Sequence, residues 1–196
     1  MGNVVGLLLA AGFSRRYGAQ KLLEPLPLGV CVAGLACRNL QAGTDRVVAI
    51  VRPDDPDLSD VLAKEGAEVI HFENAHLGMG ATLAFGVTSS ATAMAWLVAL
   101  GDMPSIKVST IQALAGALRS GGSMVIPRYQ DQRGHPVGFG SIHYERLRAL
   151  KGDQGARAIV EDHAADGIEM PFDDAGILLD IDTPQDLVGC LHNMSL

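Results

Sequence analysis

Short apolar runs recur along the first two thirds of the chain, at residues 4–11, 46–51, 68–71, 96–100 and 124–126. They are too short for helices, and most are too uniformly apolar for strands wet on one face. They therefore read as strands buried on both sides. Stretches of helical spacing separate them, at 30–40, 58–65, 81–89 and 108–119. Strand and helix in strict alternation predict an α/β fold with a mostly parallel sheet covered on both faces, in three α/β/α layers. Residues 128–139 are polar and rich in glycine, and read as a loop or short hairpin. Helices at 143–150 and 155–164, strands near 168–170 and 177–181, and a last helix from Pro184 complete the pattern. No low-complexity linker or internal repeat interrupts it, so residues 1–196 read as one domain.

Composition narrows the picture. Of the 196 residues 48% are hydrophobic and 19% charged, which supplies a large core and argues against disorder. The formal net charge of −7 disfavours nucleic acid, whose phosphate backbone calls for a basic surface. Cys31, Cys37 and Cys190 form no C-x-x-C pair and are odd in number, which suits a reducing compartment and neither a disulfide framework nor a zinc site. The amino terminus lacks signal-peptide character, and no apolar run approaches the ~20 residues of a membrane span. A cytoplasmic protein without a membrane anchor is expected.

In parallel sheets ligands bind beyond the carboxyl ends of strands. That rule selects the loops after Ala11, Leu100 and Ile181. The first, Gly12-Phe13-Ser14-Arg15-Arg16-Tyr17-Gly18-Ala19-Gln20-Lys21, combines small residues with three cations. Small residues let backbone N–H groups approach an anion, and cations neutralise phosphates. A strand-to-helix turn with solvated basic residues is the plainer reading of the same loop. It matches neither G-x-x-x-x-G-K-[ST] nor G-x-G-x-x-G. The second loop reads Gly101-Asp102-Met103-Pro104, holding a carboxylate on a rigid turn; Mg²⁺ takes one or two such carboxylates together with water and phosphate oxygens. Asp102 is poorly placed to cap a helix that starts near Ser105–Val108. The third, Asp180-Ile181-Asp182-Thr183-Pro184-Gln185-Asp186, offers Asp182 as a second metal ligand, although Thr183 or Asp182 can equally cap a helix with Pro184 in its first turn.

These motifs resemble those of the MobA-like nucleotidyltransferases. Leu9, Ala10, Ala11, Gly12, Ser14, Arg16, Gly18 and Lys21 match the signature L-A-A-G-x-S-x-R-x-G-x-x-K position for position. The resemblance implies a Rossmann-like nucleotidyltransferase fold whose first loop wraps a nucleoside triphosphate. It makes Lys21, Arg16 and Asp102 catalytic and adds Arg15 to the nucleotide-binding loop. The family's G-D-M-P segment supplies a magnesium-binding aspartate, here Asp102. Gly78-Met79-Gly80-Ala81-Thr82-Leu83 is similar to the family's G-M-x-x-S-L, which makes Gly80 and Thr82 base or ribose contacts; a simple tight turn is the alternative. Arg133-Gly134-His135-Pro136-Val137, Gly152-Asp153-Gln154-Gly155-Ala156-Arg157 and Asp180–Leu187 look like segments of the molybdenum cofactor cytidylyltransferase (MocA-like) branch, with Gln185 where glutamate is usual. His135, Asp153 and Arg157 become acceptor-binding candidates on that ground, although Arg157 can also pair with Glu161 one helical turn on. The other histidines, His76 among them, have no ligand-like spacing and receive no role.

The resemblance implies transfer of CMP from CTP to molybdopterin, with Mg²⁺ and with a client molybdoenzyme as a further partner. A guanylyltransferase is the nearest alternative. A nicotinamide-dependent reductase on the same sheet is a different class: the first loop lacks its glycine fingerprint, but Arg52 at the end of the second strand suits a 2′-phosphate. A non-catalytic nucleotide sensor or molybdoenzyme chaperone is a third class, against which the intact Lys21 and Asp102 argue.

Overall fold

The computed structural model describes residues 3–13, 17, 18, 20–162 and 167–194. Its elements run β1 (Val4–Leu9), α1 (Val32–Gly43), β2 (Arg46–Val51), α2 (Pro56–Lys64), β3 (Glu68–His71), α3 (Met79–Ser89), β4 (Ala95–Leu100), α4 (Val108–Arg119), β5 (Met124–Tyr129), β6 (Gln132–Arg133), β7 (Val137–Gly140), α5 (Tyr144–Arg148), α6 (Arg157–Asp162), β8 (Ile168–Pro171) and α7 (Pro184–Met194). They build an eight-stranded sheet in the order β3-β2-β1-β4-β7-β5-β6, with β8 paired to β5. The pairings among β3, β2, β1 and β4, and that of β5 with β8, are parallel; β7 and β6 run antiparallel to their neighbours. The mostly parallel α/β sheet expected from the pattern is present.

Side chains alternate across β1. Val4 and Leu8 join the core under α1, α2 and α4, where Leu40, Leu58, Leu62 and Leu114 are fully buried. Val5 and Leu7 point into the opposite core with Leu83 and Val87 of α3, Leu147 of α5 and Ile159 of α6. Two cores, one on each face, give the three layers. At its carboxyl end β1 is flanked by β2 on one side and β4 on the other. The chain order reverses there, which makes this the crevice where such sheets bind ligands.

In the carboxyl-terminal half one expectation holds and another fails. Residues 128–139 form a hairpin, with Gln130 and Asp131 both at positive φ in the turn, as a two-residue hairpin connection requires. Between the pairs Arg128↔Arg133 and Val125↔Gly138 the returning strand carries two extra residues; Gly134 N still donates to the Pro127 carbonyl, and His135 and Pro136 bulge out of the ladder. The strand expected at 177–181 is absent, and a 3₁₀ turn at Ala175–Leu178 takes its place. The buried Asp174 carboxylate dictates that turn. It accepts from Gly176 N at 3.1 Å, Lys107 N at 3.0 Å and Thr110 Oγ1 at 2.7 Å. Ile177 is apolar because it fills the core, and its carbonyl goes to His135 N while Ile181 N goes to the Asp102 carbonyl. Bonds to two different segments replace a ladder. No helix among the described residues is long and apolar enough to cross a membrane.

Candidate functional site

The strand-end loops close around an open cleft of about 400 Å³, lined among others by Leu9, Ala10, Ala11, Gly12, Lys21, Thr82, Asp102, Asp153 and Asp182. One wall is the end of β1. Ala10 and Ala11 leave the sheet there, with Ala10 N still bonded to the Ile50 carbonyl. Gly18 lies further along the loop at positive φ. Ser14, Arg15 and Arg16 fall outside the described residues.

The charged end of the cleft is built by backbone registration. Gly101 N donates to the Leu9 carbonyl, which ties the β4 end to the β1 end. Ile181 N donates to the Asp102 carbonyl, and this bond brings Asp182 beside Asp102 across a long stretch of sequence. Lys21 Nζ reaches Asp102 Oδ2 and Asp182 Oδ1, each at 2.8 Å. Burial works to lower the lysine's pKa, but the two carboxylates outweigh it and hold the ammonium above its usual range. The other oxygen of Asp102, Oδ1, is buried with no hydrogen-bond partner among the described residues. Asp102 makes no helix cap, since α4 starts only at Val108. The described capping contacts of α7 involve other side chains. Thr183 and Asp186 form a capping box at the start of α7, with Asp186 Oδ2 accepting from Thr183 N at 2.7 Å and Thr183 Oγ1 from Asp186 N at 3.3 Å.

The opposite end is made of backbone. Gly78, at φ 101°, and Gly80 pack against Lys151–Asp153 so closely that a Cβ on Gly78 would lie 2.2 Å from Asp153 Oδ1, and one on Gly80 2.8 Å from the Lys151 carbonyl oxygen. Gly80 N donates to the Gly152 carbonyl at 2.7 Å, so this N–H is committed within the protein. Thr82 is buried, lines the cleft and donates its hydroxyl to the Gly78 carbonyl at 3.1 Å. Asp153 joins the wall made by Gly78, Met79 and Thr82.

The remaining acceptor candidates sit apart from the described lining. Arg157 is exposed on α6 and pairs with Glu161 Oε1 at 2.8 Å. His135 is partly buried at the bulge, where its ring donates to the Val98 carbonyl and its buried Nδ1 has no partner among the described residues. Burial holds the imidazole below its usual pKa, against the opposing pull of Asp102, the Val98 bond and Asp180. Phe13, Tyr17, His76 and Met79 also line the cleft, and sequence reasoning passed over them. For His76 a signal existed in its place just before Gly78-Met79-Gly80. For the apolar residues there was none, because an exposed Phe or Met carries no chemical signature of its own.

A crevice at the reversal of a parallel sheet, a glycine-bearing loop beside it and two carboxylates meeting one lysine define a nucleotide-transferring class of protein. The chain belongs to the MobA-like NTP transferase domain family, whose pattern matches residues 6–167. Purine catabolism protein PucB of Bacillus subtilis (strain 168) is 29% identical over 194 residues, covering 93% of each chain. Nicotine blue oxidoreductase of Paenarthrobacter nicotinovorans is 28% identical over 166 residues, covering 80% of this chain and 81% of that one. Among solved structures, Rv0371c from Mycobacterium tuberculosis H37Rv superposes with a TM-score of 0.86 at 25% identity, over 97% of this chain and 98% of the other.

Proposed function

We propose that the protein transfers CMP from CTP to the phosphate of molybdopterin and releases pyrophosphate. The observation that carries the reading is the convergence of Lys21, Asp102 and Asp182 at one end of the strand-end cleft. In the reaction an acceptor phosphate oxygen bonds to the α-phosphorus while the bond from that phosphorus to the bridging oxygen of the β-phosphate breaks. A lone pair of the acceptor oxygen becomes the new bond, the pair of the broken bond leaves on pyrophosphate, and an acceptor already ionised at neutral pH needs no general base. What remains for the protein is positioning and charge stabilisation. Lys21, together with Arg16, serves as phosphate-binding cation, and the loop from Leu9 to Gly18, Ser14 and Arg15 included, wraps the triphosphate.

Asp102 and Asp182 suit a divalent ion such as Mg²⁺. They lie close enough for one ammonium to touch both, and Asp102 keeps a buried oxygen without a partner. An ion held there would take its remaining ligands from phosphate and water. Such an ion supplies charge neutralisation on phosphate oxygens. Gly80, Thr82 and Asp153 flank the nucleoside. His135 and Arg157 stand as acceptor contacts on the strength of their motifs.

The relative named nicotine blue oxidoreductase raises a second reading, a reductase using NADPH. The Arg52 guanidinium, the candidate for a 2′-phosphate, is already engaged by Asp54, Asp55 and the Gly12 carbonyl. Incubation with molybdopterin, Mg²⁺ and CTP, GTP or NADPH, followed by mass spectrometry of the product, separates the readings. The cytosine dinucleotide is expected, formed at least about tenfold faster than the guanine one, because a site matched to one base leaves polar groups unpaired against another. Faster guanine product moves the protein to guanylyl transfer. No product from either, with tight NADPH binding, rejects transfer.

A further inference from the structure

An aspartate at the start of a helix ordinarily turns its carboxylate onto the free N–H groups of the first turn. Asp55 occupies that position at α2 and makes no such bond. Its buried carboxylate faces the loop after β1 instead, accepting from Gln20 Nε2 and from Arg52 Nη2 at 3.4 Å. Arg52 in turn donates Nη1 to the Gly12 carbonyl at 3.3 Å, and its guanidinium lies 4.7 Å from the centre of the Phe13 ring. Asp54 fixes the remaining edge through Nε at 3.1 Å. Both ends of the loop, Gly12-Phe13 and Gln20, are thus fastened to one short unit at the end of β2. Lys21 follows directly on the second anchor.

We infer that Arg52 and Asp55 are positioning residues that set the span of the loop between Gly12 and Gln20 and thereby prepare it for a triphosphate. The inference rests on the triphosphate-binding role proposed for that loop. Neither residue touches the reacting atoms; they act through Gly12, Phe13 and Gln20. A helix cap has been given up to make the contact, and anchors fixed before the ligand arrives need not be ordered at the moment of binding.

Asp55→Ser separates this role from a structural one. Serine caps a helix as well as aspartate does, but it is too short to hold Gln20 and Arg52. The thermal midpoint is therefore expected to stay level or rise, while calorimetry shows CTP binding about tenfold weaker and CMP binding nearly unchanged. Gln20→Ala, which leaves α2 untouched, shifts CTP in the same direction by a smaller factor. Asp55→Asn, which can still accept from Gln20, recovers part of the loss. CTP affinity unchanged in both Asp55→Ser and Gln20→Ala overturns the inference, and so does an equal loss for CTP and CMP. Wild-type protein that binds CTP no better than CMP defeats instead the triphosphate role on which it rests.

Discussion

The two ends of the cleft are made of different material. At one end Lys21, Asp102 and Asp182 meet through side chains, each delivered by a different segment of the chain and joined by short charged contacts. At the other end Gly78 and Gly80 meet the 151–153 segment through backbone, packed so tightly that neither has room for a Cβ, with Gly80 N already bonded internally. The first end can be altered by changing a charge while the fold stands. The second cannot be altered without moving chain. On the function proposed above, phosphate chemistry would depend on side-chain identity, and nucleoside recognition largely on backbone shape.

The largest effect belongs to the charged end. Asp102→Asn should reduce nucleotidyl transfer by roughly a thousandfold or more, since a metal's charge stabilisation is worth several kcal/mol. The thermal midpoint should hardly move, because the residue lies in a strand-end loop outside both cores. Full activity in this variant removes Asp102 from the chemistry.

Lys21→Met sharpens the comparison from the other partner. With the ammonium gone, Asp102 and Asp182 lose the internal cation that now neutralises them, and a divalent ion meets no competitor. Mn²⁺ titrated into nucleotide-free protein and followed by electron paramagnetic resonance should bind roughly tenfold or more tightly than in wild type, since charge-assisted contacts are worth about 1.5–3 kcal/mol. Binding no tighter than in wild type would mean that the two carboxylates do not share a cation site.

At the backbone end the expectation is reversed. Gly78→Ala forces a Cβ onto Asp153 and Gly152 in a left-handed conformation, so it should cost about 1–3 kcal/mol of stability. Discrimination among nucleosides should blur, while pyrophosphate affinity stays near wild type. A smaller effect concerns pH. Burial lowers the pKa of His135 in the folded protein, whereas the unfolded chain takes up the proton near the usual value of 6.5. Between the lowered folded value and 6.5 the unfolded state binds more protons, so the contribution of this group to stability rises with pH across that window and is level on either side of it. Denaturant midpoints measured through that range should fall toward acid in wild type and fall less in His135→Gln.

The same contrast governs what could be read from the chain. The alternation of strands and helices gave the parallel half of the sheet nearly to the residue, since β2, β3 and α4 coincide with their apolar periods. Asp102 and Lys21 stood out because charged residues at strand ends in an apolar chain have few structural uses. Asp182 was harder to separate from Thr183 and Asp186, and only the Ile181–Asp102 backbone bond shows which of them turns toward Lys21. Residues 177–181 misled because Ile177 is apolar for core filling rather than for pairing, while a buried carboxylate bends the chain. The role of Arg52 and Asp55 was invisible for a like reason: capping aspartates are common, and the missing cap shows only in three dimensions.

The central claim is that the Lys21 end of the cleft holds a triphosphate. Calorimetric affinities of CTP and CMP, measured side by side in wild type and in Lys21→Met with Mg²⁺ present, test it most directly. The account predicts CTP well above CMP in wild type, and a gap narrowed by about ten- to a hundredfold in the variant. Equal affinities in wild type, or a gap that survives the loss of Lys21 unchanged, would contradict it.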